Sequence, residues 1–149
     1  MTTEATRIDT YEGLFLFPQA AAADLGATVD HVKEILRRAD AEVLALTKWD
    51  ERRLAYDIRG NKRGLYLLAY FKAPRHKLAG LERDCNLSER MLRSLVIRAD
   101  HVTPEQIKLA DGREKLADEI KLRAKEAAKA AAEGATVTAV AQVEESAEA

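Results

Sequence analysis

The chain reads as an α+β protein of the ferredoxin-like kind: a βαββαβ sandwich with a four-stranded antiparallel sheet and two helices on one face. Three observations predict this. Four apolar runs of strand character fall before residue 100. Two amphipathic helical patterns separate the first run from the second and the third from the fourth. Only a short turn-like stretch, Gly60-Asn61-Lys62-Arg63-Gly64, joins the middle two. Two crossovers around a central hairpin make the split βαβ arrangement, and right-handed crossovers put both helices on the same side. The expected strand order is 4-1-3-2, with the second strand on an edge.

The first strand, Arg7 to Phe17, ends in Leu14-Phe15-Leu16-Phe17 before Pro18, and a continuous apolar run of this kind suits a strand covered on both faces. Ala20 to Ala27 contains Gly26 and carries no clear pattern. Thr28 is read as the N-cap of a helix on which Val29, Val32, Leu36 and Ala39 recur at helical spacing. Glu42 to Arg59 is a long strand, expected to bend or bulge near Asp50-Glu51. Its alternation places Leu54, Tyr56 and Ile58 together and sends Arg52 and Arg53 to opposite sides. Leu65 to Phe71 is the hairpin partner. Pro74 opens the second helix, whose inward stripe is Leu78, Leu81 and Cys85, and Leu92 to Ala99 is the last strand.

Residues 1–6 are expected to be a flexible N-terminus, 7–100 the sandwich, 101–133 a helical extension and 134–149 a disordered tail. The extension starts on Thr103-Pro104-Glu105-Gln106, which offers an N-cap, a first-turn proline and a capping-box glutamine. Asp111-Gly112 is expected to break this helix. Ile107, Leu116 and Ile120 form a thin apolar stripe, which predicts weak docking on the sandwich. The Ala-, Val-, Thr- and Glu-rich stretch after Gly134 predicts disorder.

Charge is unevenly spread. The net charge is −1 over 149 residues, yet residues 48–98 carry 13 Lys and Arg against 6 Asp and Glu, while residues 101–149 carry 7 against 10. A basic centre beside an acidic end points to a local polyanion site. The basic residues gather on one hairpin (Lys48, Arg52, Arg53, Arg59, Lys62 and Arg63), with Arg90, Arg93 and Arg98 on or near the last strand. Lysine would serve as well if the charges only kept an edge strand from aggregating, whereas arginine forks match phosphate oxygens. Lys48, Arg52, Arg53, Arg59 and Arg93 are the expected phosphate contacts. In Leu65–Phe71 both faces are apolar or aromatic, and two helices cover only one. Tyr66, Leu68 and Tyr70 are therefore expected to face a protein partner or the tail.

Other chemistry finds little support. The three histidines lack ligand spacing, so no metal is expected, and no cofactor motif or catalytic site is found. Small acylphosphatase-like enzymes share the topology without a constellation here to match. Cys85, the one cysteine, excludes an intrachain disulfide and fits a reducing compartment. No apolar run approaches the roughly 18–20 residues that span a bilayer. The acidic N-terminus lacks a signal-like apolar core, and a cytoplasmic protein is expected. A free-standing RNA-recognition module is the nearest alternative. Arg63-Gly64-Leu65-Tyr66-Leu67-Leu68-Ala69-Tyr70 begins as its signature octamer does, but Leu65 and Leu67 stand where base-stacking rings are needed.

Several elements together carry a family resemblance. Tyr11-Glu12 opens the first strand. Trp49 is followed by Arg52-Arg53-Leu54-Ala55-Tyr56 and Ile58. Gly64 precedes the aromatic strand, Leu81-Glu82-Arg83 lies on the second helix, and Leu92-Arg93 leads into Val96-Ile97-Arg98. In this order and spacing they resemble the bacterial ribosomal protein S-six (bS6) family, over about Thr10 to Asp100. The resemblance implies a non-enzymatic constituent of the small ribosomal subunit. Such a protein binds the central domain of small-subunit rRNA together with ribosomal protein S-eighteen. It implies no membrane and no small-molecule substrate. The chain departs from the family at Asp50-Glu51, where Gly-Lys is frequent, and at Asp57, where Pro is frequent. These acids lower the local positive field, and the extension lies outside the resemblance.

Overall fold

The computed structural model describes the backbone of residues 7–147 and the side chains of residues 7–134. The sheet strands are β1 (Ile8–Pro18), β2 (Glu42–Ile58), β3 (Asn61–Pro74) and β4 (Arg93–Arg98). Helix α1 (Leu25–Arg38) joins β1 to β2, and α2 (Leu78–Leu87) joins β3 to β4. All pairings are antiparallel and the order is β2-β3-β1-β4, the expected order read from the other edge. The helices α3 (Pro104–Ala110) and α4 (Arg113–Ala147) follow the sheet.

The pleat sorts the core. Leu65, Leu67, Ala69 and Phe71 of β3 and Tyr11, Phe15 and Phe17 of β1 point to the helical side and are fully buried. They meet Val29, Val32 and Leu36 of α1 and Leu81 and Cys85 of α2. On the opposite face a smaller cluster joins Leu16, Leu54, Ile58 and Leu92, with Tyr66 packed against it. Burial pushes the Cys85 thiol up to about 11, consistent with a packing role.

Four expectations need correction. Thr28 does not cap α1: burial of Leu25 starts the helix four residues earlier, and the Thr28 hydroxyl donates to the Asp24 and Ala21 carbonyls. The hairpin turn is not 60–64 but the pair Arg59-Gly60, both at positive φ (48° and 78°). Two left-handed residues match the strand twist, and the Asn61 side-chain amide donates to the carbonyls of Ile58 and Arg59. Tyr56 does not share the burial of Leu54 and Ile58 and stands exposed, because β2 loses register with β3 between Arg53 and Ile58. A further shift between Lys48 and Asp50 is the bulge expected near Asp50.

The fourth correction concerns the extension. The capping box of Thr103 and Gln106 forms as expected and opens α3. Docking is not weak, however. Ile107 is buried, and Leu116 is only 3% exposed and belongs to the main core. The backbone is helical through Ala147, which covers most of the stretch expected to be disordered. Residues 1–6 and 148–149 lie outside the described residues.

Candidate RNA and protein interface

The five cations expected to meet phosphate divide into two groups. Arg52, Arg53, Arg59 and Arg93 are exposed, and none of them has a carboxylate partner among the described residues. Arg52 and Arg53 stand opposite Gly64 and Arg63 on β3. Arg59 is held at the hairpin tip by the left-handed turn. Arg93 starts β4 and lines a groove of about 230 Å³ with Leu54, Tyr56, Ile58 and Tyr66, so the fold brings it to the outer half of the hairpin. Lys62 and Arg63 are exposed on the same hairpin.

Lys48 behaves differently. Its ammonium donates to Glu119 of α4 at 2.7 Å and to Glu51 at 3.4 Å, and its side chain is 27% exposed. Paired cations also occur at the far end of the sheet, where Arg7, Arg75 and Arg98 all lie within 4 Å of Asp9. The hairpin is thus a place where several guanidiniums stand without neutralising acids. Unshielded like charges side by side are tolerated only where water or a counter-anion screens them.

The uncovered sheet face carries the apolar surface. Tyr66, Leu68 and Tyr70 alternate onto it and are half-buried by their neighbours. Burial, followed by a hydrogen bond to Glu12, raises the Tyr70 phenol above its ordinary value. Trp49, at the β2 bulge, sets its ring edge-on to Tyr66 at 5.3 Å and has the Arg52 guanidinium 5.9 Å from its centroid. Trp49 remains 49% exposed, and on β4 Leu95 and Ile97 are 58% and 41% exposed. Leu95 and Ile97 were missing from the expected partner surface. The alternation Arg93-Ser94-Leu95-Val96-Ile97 carried that signal, since Ser94 and Val96 pair with the core positions Phe15 and Gly13. The same alternation weighs against the RNA-recognition octamer: Leu65 and Leu67 are buried under the helices, not on the open face.

The family model "Ribosomal protein S6" matches residues 10–98, which is more than half of the chain. The chain belongs to this ribosomal protein family. Its curated relatives include the small ribosomal subunit protein bS6 of Campylobacter lari, 35% identical over 92 residues that span 61% of this chain and 74% of that one. The bS6 of Sulfurovum sp. is 30% identical over 92 residues, covering 61% and 72%. The solved ribosomal protein of this family from Thermotoga maritima superposes with a TM-score of 0.59 at 22% identity, over 69% of this chain and 98% of that one, and so shares the fold. bS6 proteins are structural and non-enzymatic. The matched span ends at β4, so α3 and α4 lie outside it.

Proposed function

We propose that this chain binds the central domain of small-subunit rRNA jointly with ribosomal protein S-eighteen, as a bS6-type constituent of the small subunit working in the bacterial cytoplasm. Arg52, Arg53, Arg59 and Arg93 make the phosphate contacts. The open sheet face, with Tyr66, Leu68 and Tyr70 joined by Trp49, Leu95 and Ile97, meets the protein partner. The observation that carries the reading is the group of exposed arginines without carboxylate partners around one hairpin. Guanidiniums take phosphate oxygens in bidentate pairs, and counter-ion release makes such binding favourable and salt-dependent. The exposed apolar residues beside them supply the area a protein contact needs. Of the three acids that lower this positive field, Glu51 is already paired with Lys48 and Arg123.

The test is filter binding to a transcript of the rRNA central domain, with and without S-eighteen. Arg52→Ala with Arg53→Ala removes two charge-assisted contacts and weakens binding roughly 10- to 100-fold. With four phosphates engaged, log K falls against log salt with a slope of roughly −3 to −4 in the unaltered chain, and the double variant flattens it by about 2. A salt-independent complex, or a double variant that binds equally well, overturns the proposal. Leu95→Asp leaves the RNA-only slope unchanged and lowers the enhancement by S-eighteen.

A further inference from the structure

The extension reaches the edge of β2 by two anchors. At the first, the Asp111 carboxylate accepts the Leu46 N–H, the Gly112 N–H donates to the Leu46 carbonyl, and the Arg113 guanidinium donates to the carbonyls of Val43 and Leu44. This approach is so close that a Cβ on Gly112 would overlap the Thr47 side chain. At the second, one turn beyond the buried Leu116, Glu119 and Arg123 of α4 meet Lys48 and Glu51 of β2 in a four-charge cluster. Arg123 also donates to the Ala22 carbonyl at 2.5 Å. From Ala124 to Gly134 the helix is exposed.

We propose that the extension is a built-in competitor for RNA at the middle of β2: Glu119 sits on Lys48 in place of a phosphate, so docking of this turn of α4 and contact between Lys48 and RNA exclude one another. The inference rests on the RNA-binding reading above and adds its regulation. Lys48 belongs to the basic edge strand by position, and an acid from outside the family-matched residues holds it. The four charges cancel, so an approaching phosphate finds no net attraction there until Glu119 leaves. The exchange is between near equals. The cluster's side chains are only about a quarter exposed, so Glu119 can leave only where a phosphate takes its place on Lys48 while Glu51 keeps Arg123 paired. A phosphate accepts from lysine at least as strongly as a carboxylate does. The first anchor and Leu116 keep the extension attached while Glu119 leaves Lys48, and Ile120, packed against the core beside Gly26, limits how far the rest of this turn moves.

The experiment measures binding of full-length chains to the rRNA central-domain transcript between 50 and 200 mM salt, using the unaltered chain, Glu119→Gln, Lys48→Gln, the Glu119→Gln/Lys48→Gln double variant and Arg52→Gln, with the Tm of each as a fold control. Glu119→Gln frees one cation, so affinity rises about three- to tenfold and the slope steepens by roughly 0.7–0.9. Lys48→Gln alone changes affinity by less than about twofold, because that cation is already occupied. In the double variant the gain disappears. Unchanged affinity and slope in Glu119→Gln overturns the inference, as does a loss in Lys48→Gln equal to that in Arg52→Gln. If the unaltered chain shows no salt-dependent binding, the RNA-binding reading itself fails. Salt-dependent binding that ignores Glu119→Gln sinks the competitor alone.

Discussion

Leu116→Ala tests whether the extension and the sandwich unfold as one unit. Leu116 is 3% exposed and packs in the main core, although it lies 18 residues beyond the end of β4. Truncating a leucine buried this fully removes its transfer free energy and leaves a cavity, a cost of about 3 kcal/mol. For a chain of this size each kcal/mol moves Tm by about 2–4 °C, so the loss amounts to roughly 6–12 °C. Two probes watch different parts of the molecule. Trp49, the single tryptophan, reports on β2 and the sheet face, while far-UV circular dichroism weighs the helices. Both transitions shift together if Leu116 belongs to the common core. A helical signal that melts early while the Trp49 transition stays in place refutes the reasoning, because it shows the extension folding on its own.

Three further outcomes follow from particular residues. Arg59→Gly relieves a non-glycine residue from positive φ, so stability holds or rises by about 0.5–1 kcal/mol in urea titration while RNA affinity drops, a split that a merely structural arginine would not give. Cys85 resists alkylation at pH 8 in the native protein and reacts fully in denaturant, since burial holds the thiol near 11; rapid native labelling contradicts this. His31 hydrogen-bonds Ser88 at 2.6 Å, and burial, then nearby Arg90, lowers its pKa below the ordinary value. The unfolded chain therefore binds the proton more readily. Stability is complete above about pH 7 and falls as pH drops through the ordinary histidine range, and His31→Gln flattens that dependence between pH 5 and 7.

Much of the sandwich is legible because its signals are periodic. Leu65, Leu67, Ala69 and Phe71 alternate cleanly into the core, and the stripe of Val29, Val32 and Leu36 marks a helix that must cover them. The Arg59-Gly60 turn is hidden, since arginine is a poor candidate for a left-handed conformation and Gly60-Asn61 attracts the assignment instead. The start of α1 is hidden because tertiary burial of Leu25 outweighs the local capping preference of Thr28. Docking of the extension leaves the least trace. It depends on Asp111, Gly112 and Arg113 bonding to strand backbone, and such bonds impose no repeat on the sequence. The arginines of the hairpin are visible as a cluster, but their lack of partners, and the capture of Lys48, depend on which acids the fold brings near.

The way β2 is interrupted has a consequence for the chain before it reaches its assembly. An outer strand of 17 residues is a template onto which another copy can lay its own backbone. Here the Val43–Leu46 stretch is already satisfied from within, and three changes of spacing break the remainder into short lengths that no straight visitor can match. At the other margin, β4 offers only six residues. Newly made molecules at high concentration thus have little means of zipping into fibres, even with the apolar residues of the open face exposed.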